Sequence, residues 1–181
     1  MNYYDKSKIG RRIAIGGEHI VYEYVEDQVI KFSGLFFLLG KKAKEKAISD
    51  AVVCKEFFGK YFLDTQIAVS PNNKWIVHIQ QKIIGRPLEI GDLEDERLRL
   101  QFKEIIECHL FMRKAGYADL DFIGREGVFG KRLGNIFVTD NGSLLIIDAT
   151  ILSASGIISP YVALIRRYIV WRQENIFRSF S

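Results

Sequence analysis

The chain has 181 residues, which suits one domain or two small lobes sharing a cleft. Its apolar fraction of 48%, with thirteen Phe and eight Tyr, excludes a disordered chain, and three Pro residues with no low-complexity tract exclude a long linker. A net charge of +4 is too modest to imply nucleic-acid binding, and no aromatic-basic stripe tracks a strand, so no nucleic-acid partner is expected.

The charge is uneven. Residues 1–82 carry thirteen basic and nine acidic side chains, whereas residues 83–181 carry thirteen of each. Lys41, Lys42, Lys44 and Lys46 in the first part read most simply as one solvated helix face. Cys54 and Cys108 lack metal-ligand spacing and sit in apolar-periodic helices, as buried reduced thiols do. Met1 to Arg12 has no apolar signal region, and the apolar run Leu35 to Leu39 is too short to span a bilayer. A cytoplasmic location with no transmembrane segment is the expectation.

In chain order, strands are predicted near residues 9–16, 19–25 and 28–33. Gly16-Gly17 lies between the first two, and Lys31 stands among apolar neighbours in the third. A glycine turn lets backbone N–H groups approach phosphate oxygens, and a strand Lys can reach in as a point charge. A helix follows from Lys41 to Phe58, where Ala43, Ala47, Asp50, Cys54 and Phe57 recur at helical spacing. Ser70-Pro71-Asn72-Asn73 is a turn between strands at 65–69 and 74–83. Ile84 to Leu88 breaks the pattern and reads as a connector between lobes.

Asp92 to Arg113 is strongly helical, with Gly116 as its stop, and His109 near its apolar face reads as a satisfied core or boundary histidine. After a loop from Tyr117 to Leu133 comes Gly134 to Asp148, two short apolar strands joined by Asn141-Gly142, a pair that suits a two-residue hairpin turn. Asn135 enters the first strand and Asp148 leaves the second, so the hairpin returns both to one edge. An amide oxygen and a carboxylate converging there suit Mg²⁺. A helix from Pro160 to Phe177 carries Tyr161, Tyr168, Trp171 and Phe177 beside Arg166, Arg167, Arg172 and Arg178. It reads as packing under the second lobe, with docking of a protein partner or a membrane surface as the sharper alternative.

The order glycine turn, strand Lys, Asn and Asp resembles the protein-kinase-like superfamily, and the short spacing from Val21 to Lys31 is similar to its aminoglycoside- and choline-kinase-like branch and to small atypical bacterial kinases. The resemblance covers residues 9 to 150. It implies an α+β bilobal fold: residues 1–83 as an N-lobe with a five-stranded antiparallel sheet and one helix, and 84–181 as a reduced, mainly helical C-lobe. It also implies ATP and Mg²⁺ as cofactors in an interlobe cleft, and transfer of the γ-phosphate to a hydroxyl of a small molecule or a protein. Gly16 and Gly17 would cover the phosphates, and Lys31 would hold the α and β phosphates with Asp50 or Glu45 orienting it. Backbone near Gln80 to Ile83, with Gln81 and Ile83 as the contacts, would meet adenine. Asn135 and Asp148 would hold Mg²⁺.

The chain departs from the family pattern in three places. Ala14, Gly16 and His19 stand where three glycines are usual, and Ala149-Thr150 where many protein kinases have Phe-Gly. The third departure concerns the base. Gly130 occupies the position five residues before Asn135, where the family places its catalytic Asp. Asp121 or Asp119 is then the candidate base, with Phe122 to Phe129 as an insertion. The alternative is a pseudokinase that binds nucleotide or a protein without catalysis. A third reading is an unrelated α+β interaction domain.

Overall fold

The computed structural model describes residues 4–15, 19–33, 40–69, 76–124, 130–152 and 160–180. The chain forms two compact units, Met1–Val53 with Leu63–Ile83, and Cys54–Phe62 with Ile84–Ser181.

The first unit is built on β1 (Ile9–Ile15), β2 (His19–Tyr24), β3 (Gln28–Ser33), β4 (Thr65–Val69) and β5 (Ile76–Gln81). They form one antiparallel sheet in the order β1-β2-β3-β5-β4. Strand β5 lies between two neighbours and is buried from Ile76 to Gln80, so its apolar residues fall on both faces rather than alternating. Strand β3 shows the period of two that a sheet imposes. Ile30 joins Tyr4, Tyr24, Ala68, Val77 and Ile79 in a core, while the next residue, Lys31, is half-buried and points to the other face.

Helix α1 (Gly40–Phe58) buries Ala47, Ala51, Cys54 and Phe58, a stripe at helical spacing, and Ala47 packs with Ile76 and Ile67. The unit boundary falls within this helix, after Val53.

The second unit holds α2 (Glu96–Lys114), α3 (Pro160–Arg178) and a three-stranded antiparallel sheet of β6 (Gly85–Glu89), β7 (Arg132–Thr139) and β8 (Leu144–Ile146) in that order. Asp95 caps α2 by accepting from the N–H groups of Arg97 and Leu98. Gly116, at φ +91°, closes it: its N–H reaches Arg113 O and the Tyr117 N–H reaches Met112 O. The helix buries Leu98, Phe102, Ile105, Ile106, His109 and Met112 along one face. Among the described residues no helix is long and apolar enough to cross a membrane. Cys54 is buried and Cys108 half-buried, and neither is in a disulfide.

Two local expectations are corrected. Most of the stretch 84–88, read as a pattern-breaking connector, lies in β6, whose Pro87 pairs with Phe137 beside a bulge. A proline is tolerated there because β6 is an edge strand and needs no second ladder bond. The hairpin turn is also wider than two residues. Only Gly142 takes positive φ (+72°), the Gly142 N–H bonds to Thr139 O, and the Thr139 N–H bonds to Ser143 O. Helix α2 selects this loop: Arg97 donates to Asn141 O, Gln101 donates to Gly142 O, and Gln101 accepts from the Leu144 N–H.

Asp92 is the polar fastener at the start of this unit. It accepts two bonds from Arg86, at 2.7 and 2.6 Å, and one from the Glu89 N–H. The Arg86 guanidinium holds its carboxyl below the usual range. Arg86 is largely exposed, so solvent screens the pair and Asp92→Ala is expected to cost about 1 kcal/mol. A carboxyl with a lowered folded-state pKa stabilises above its unfolded value and loses that contribution as pH falls through the folded one. The difference between wild type and variant in urea unfolding should therefore be full at neutral pH and shrink only on acidification below the ordinary carboxylate range.

Candidate active site

The segment from Asp119 to Gly124 is held in place by three completely buried apolar side chains, Leu120, Phe122 and Ile123. The ring of Phe122 packs against His109, Phe58 and Phe177. With its apolar residues anchored, the segment is joined on both sides by backbone bonds. The Asp121 N–H donates to Thr150 O and the Leu152 N–H to Asp119 O. On the other side, the N–H groups of Gly134 and Asn135 donate to Ile123 O and Phe122 O.

These bonds bring Asp121, Asn135 and Asp148 together. Asn135 Nδ2 donates to Asp121 O at 2.8 Å, and the Ile147 N–H donates to Asn135 O at 3.0 Å. The carboxylate of Asp121 accepts from the N–H groups of Ile123 and Gly124 at 2.9 and 3.0 Å. Burial pushes the Asp121 carboxyl up to about 6, the two N–H bonds oppose this, and the nearby Asp148 charge adds to it. A value close to neutrality suits a proton acceptor.

Asp119, two residues earlier, has a different setting. It lies 3.1 Å from Nε2 of fully buried His109 and 3.5 Å from Arg113 Nε, and the bond to His109 holds its carboxyl below the usual range. His109 is thus a core histidine, as its position on α2 predicts, but only half satisfied: Nε2 meets Asp119, while the buried Nδ1 has no hydrogen-bond partner among the described residues. The structure brings Asp121, and not Asp119, into hydrogen-bond contact with Asn135.

Two residues that sequence reasoning passed over complete the arrangement. Thr150 Oγ1 donates to Asp148 Oδ1 at 3.0 Å while its carbonyl receives the Asp121 N–H, so one residue ties the Asp148 carboxylate to the Asp121 backbone. Gly124, at φ +59°, packs so closely that an added Cβ would sit 2.8 Å from Asn135 Oδ1. The spacing Asp121-x-x-Gly124 was the available signal, because an Asp that bonds the backbone two and three residues on favours a glycine in the left-handed region. Thr150→Val keeps the side-chain shape and removes one bond. Its expected effect is a stability loss of about 1 kcal/mol, read in urea unfolding.

The donor set fits Mg²⁺. With Nδ2 engaged by Asp121 O, Asn135 presents Oδ1 as its other amide atom, and Asp148 adds a carboxylate. Mg²⁺ takes one or two carboxylates with phosphates and waters rather than an all-protein cage. Among the described residues no group of three or more His, Cys, Asp or Glu is placed to hold a metal.

The remaining candidates lie in the first unit. Lys31 stands mid-strand opposite Val21 and His78, and the His78 ring lies 5.5 Å from that of His19. On α1, half-buried Asp50 pairs with Lys46 one turn earlier, and Glu45 is exposed. Gln81 ends β5 in register with Gln28 and is exposed, whereas Ile83 is half-buried beyond the strand. Gly16 and Gly17 lie outside the described residues.

No protein-family model matches the chain, and no curated protein is significantly similar to it in sequence. Solved structures do match. Two structures of the Mycobacterium tuberculosis PknI kinase domain are similar with TM-scores of 0.56 and 0.54 at 11% identity, over 86% and 85% of this chain. The Legionella pneumophila Lpg2603 kinase bound to IP6 is similar with a TM-score of 0.56 at 17% identity, over 92% of this chain. The chain has a protein-kinase-like fold. It spans 64%, 63% and 56% of the length of those three chains.

Proposed function

We propose that this chain is a minimal kinase-like phosphotransferase that uses Mg-ATP and transfers the γ-phosphate to a hydroxyl. The observation that carries the reading is the bond from the Asn135 amide to Asp121 O, with Asp148 brought beside them by the Ile147 N–H bond to Asn135 O. Asp121 is the base that accepts the hydroxyl proton. Asn135 and Asp148 are the Mg²⁺ ligands. Mg-ATP supplies the phosphoryl group and the charge neutralisation that phosphoryl transfer needs.

Lys31 serves the α and β phosphates, with Asp50 or Glu45 as its acidic partner and Gly16-Gly17 as backbone donors. Asp50 also pairs with Lys46, and a carboxylate can accept from two ammonium groups, so both positions stay candidates. Backbone at Gln81 and Ile83 serves adenine. Residues 1–83 and 84–181 are the N-lobe and C-lobe of this reading.

The second reading is a pseudokinase, favoured by Gly130 at the family's usual base position. Its backbone carbonyl accepts a bond from Arg172, and glycine has no group to take a proton. ATP consumption by the isolated protein separates the two. Mg-dependent ADP release that stops with EDTA supports the phosphotransferase, and nucleotide binding without ADP release, with candidate hydroxyl acceptors present, supports the pseudokinase.

A further inference from the structure

Helix α3 carries a polar residue where its packing face is otherwise apolar. Among its described side chains, Ile169, Gln173, Ile176 and Phe177 are buried, and Gln173 is only 1% exposed. A buried primary amide needs partners for both its oxygen and its nitrogen. Gln173 finds them on either side of one residue: Oε1 accepts from the Phe122 N–H at 3.1 Å, and Nε2 donates to Leu120 O at 3.0 Å. Both bonds are buried, and the residue between them is Asp121.

Neighbouring contacts extend the hold. Arg172 donates to Gly130 O, beyond the other end of the same loop, and Glu174 pairs with Arg113, the residue beside Asp119. Three consecutive residues of α3 therefore fasten the loop at 120–122, the chain at 130, and the helix that carries the Asp119 partners.

We infer that Gln173 is a positioning residue for Asp121, fixing the peptide groups before and after it so that its carboxylate keeps its bonds to Ile123 and Gly124. The inference rests on the phosphotransferase reading for its catalytic meaning and on the geometry alone for its structural meaning. Without the amide, Leu120 O and Phe122 N–H are buried and unpaired, and the segment rotates to find other partners. Gln173 itself bonds neither Asn135 nor Asp148, and Asn135 meets the segment only one step further on, so the larger defect falls on turnover and the smaller on nucleotide affinity.

The test uses the full chain with Gln173→Met, which keeps length and burial but removes both bonds, and Gln173→Glu, which keeps the acceptor for the Phe122 N–H. Amide hydrogen exchange is followed by NMR, alongside kcat and KM for Mg-ATP. In Gln173→Met, exchange at Ile123 and Gly124 should rise at least tenfold while Ile105 and Ile136 stay unchanged. Turnover should fall at least tenfold with KM within threefold, and Gln173→Glu should recover part of the loss.

Unchanged exchange at Ile123 and Gly124 overturns the inference, as does a rise spread evenly over the unit. If Gln173→Met does not fold, Gln173→Glu decides by the same local exchange pattern. A wild type without turnover counts against phosphotransfer, and the exchange pattern still decides whether Gln173 sets the segment.

Discussion

Mg-ATP should raise the melting temperature of the wild type, and Asp148→Ala should abolish that rise. A ligand present at about a hundredfold its dissociation constant stabilises a one-site protein by roughly 2.7 kcal/mol. For a chain of this size the shift is about 5–10 °C. The loss in the variant follows from chemistry: removing the Asp148 carboxylate leaves the neutral amide of Asn135 as the remaining ligand at this edge, and neutral ligands hold Mg²⁺ poorly. The variant also removes the acceptor of the Thr150 hydroxyl, which should lower the melting temperature of the free protein slightly. The comparison is therefore between shifts on adding Mg-ATP, each measured against its own ligand-free protein. ATP added with EDTA should give little shift in either protein.

Asp121→Asn should lower kcat by about 10²–10⁴, or roughly 3–5 kcal/mol of barrier, while leaving the Mg-ATP shift in place. Asparagine keeps an Oδ1 acceptor for the Ile123 and Gly124 N–H groups, so the loop retains its bonds and only the proton-accepting group is lost. Asp119→Asn is the matched control. Its carboxylate is committed to His109 and Arg113, so this variant should lower stability while turnover stays within a few fold. Reversed outcomes in single-turnover assays would assign the base to Asp119. Full turnover after alanine replacement at both positions would remove both from the chemistry.

The strands of the first unit were legible because their apolar periodicity and turn residues agree. The hairpin was legible for the same reason, and its consequence, Asn135 beside the chain leaving β8, follows from antiparallel pairing alone. Its turn was not, because Arg97 and Gln101 of α2, some forty residues earlier, select the wider loop. Strand β6 was hidden by Pro87, which local propensity counts against a strand while an edge position accepts it.

The choice between Asp119 and Asp121 was open in the sequence, since both stand in one loop with the same chemistry. What separates their surroundings is long-range: His109 comes from ten residues upstream, while Asn135 and Thr150 come from downstream. Gln173 was the most accessible of the missed residues. A single amide on the stripe Ile169, Ile176 and Phe177 signals a buried polar group with partners, although the pattern does not say which backbone it bonds.

The most direct test is paramagnetic broadening of the backbone NMR signals by Mn²⁺ in the presence of ATP, since Mn²⁺ shares the oxygen-ligand preference of Mg²⁺. The account predicts that Gly124, Asn135, Ile147 and Asp148 broaden first, at substoichiometric metal, and that the pattern collapses in Asp148→Ala. Broadening centred on exposed surface carboxylates such as Glu94 and Glu96, with residues 121–124, 135 and 147–148 unaffected, would contradict it.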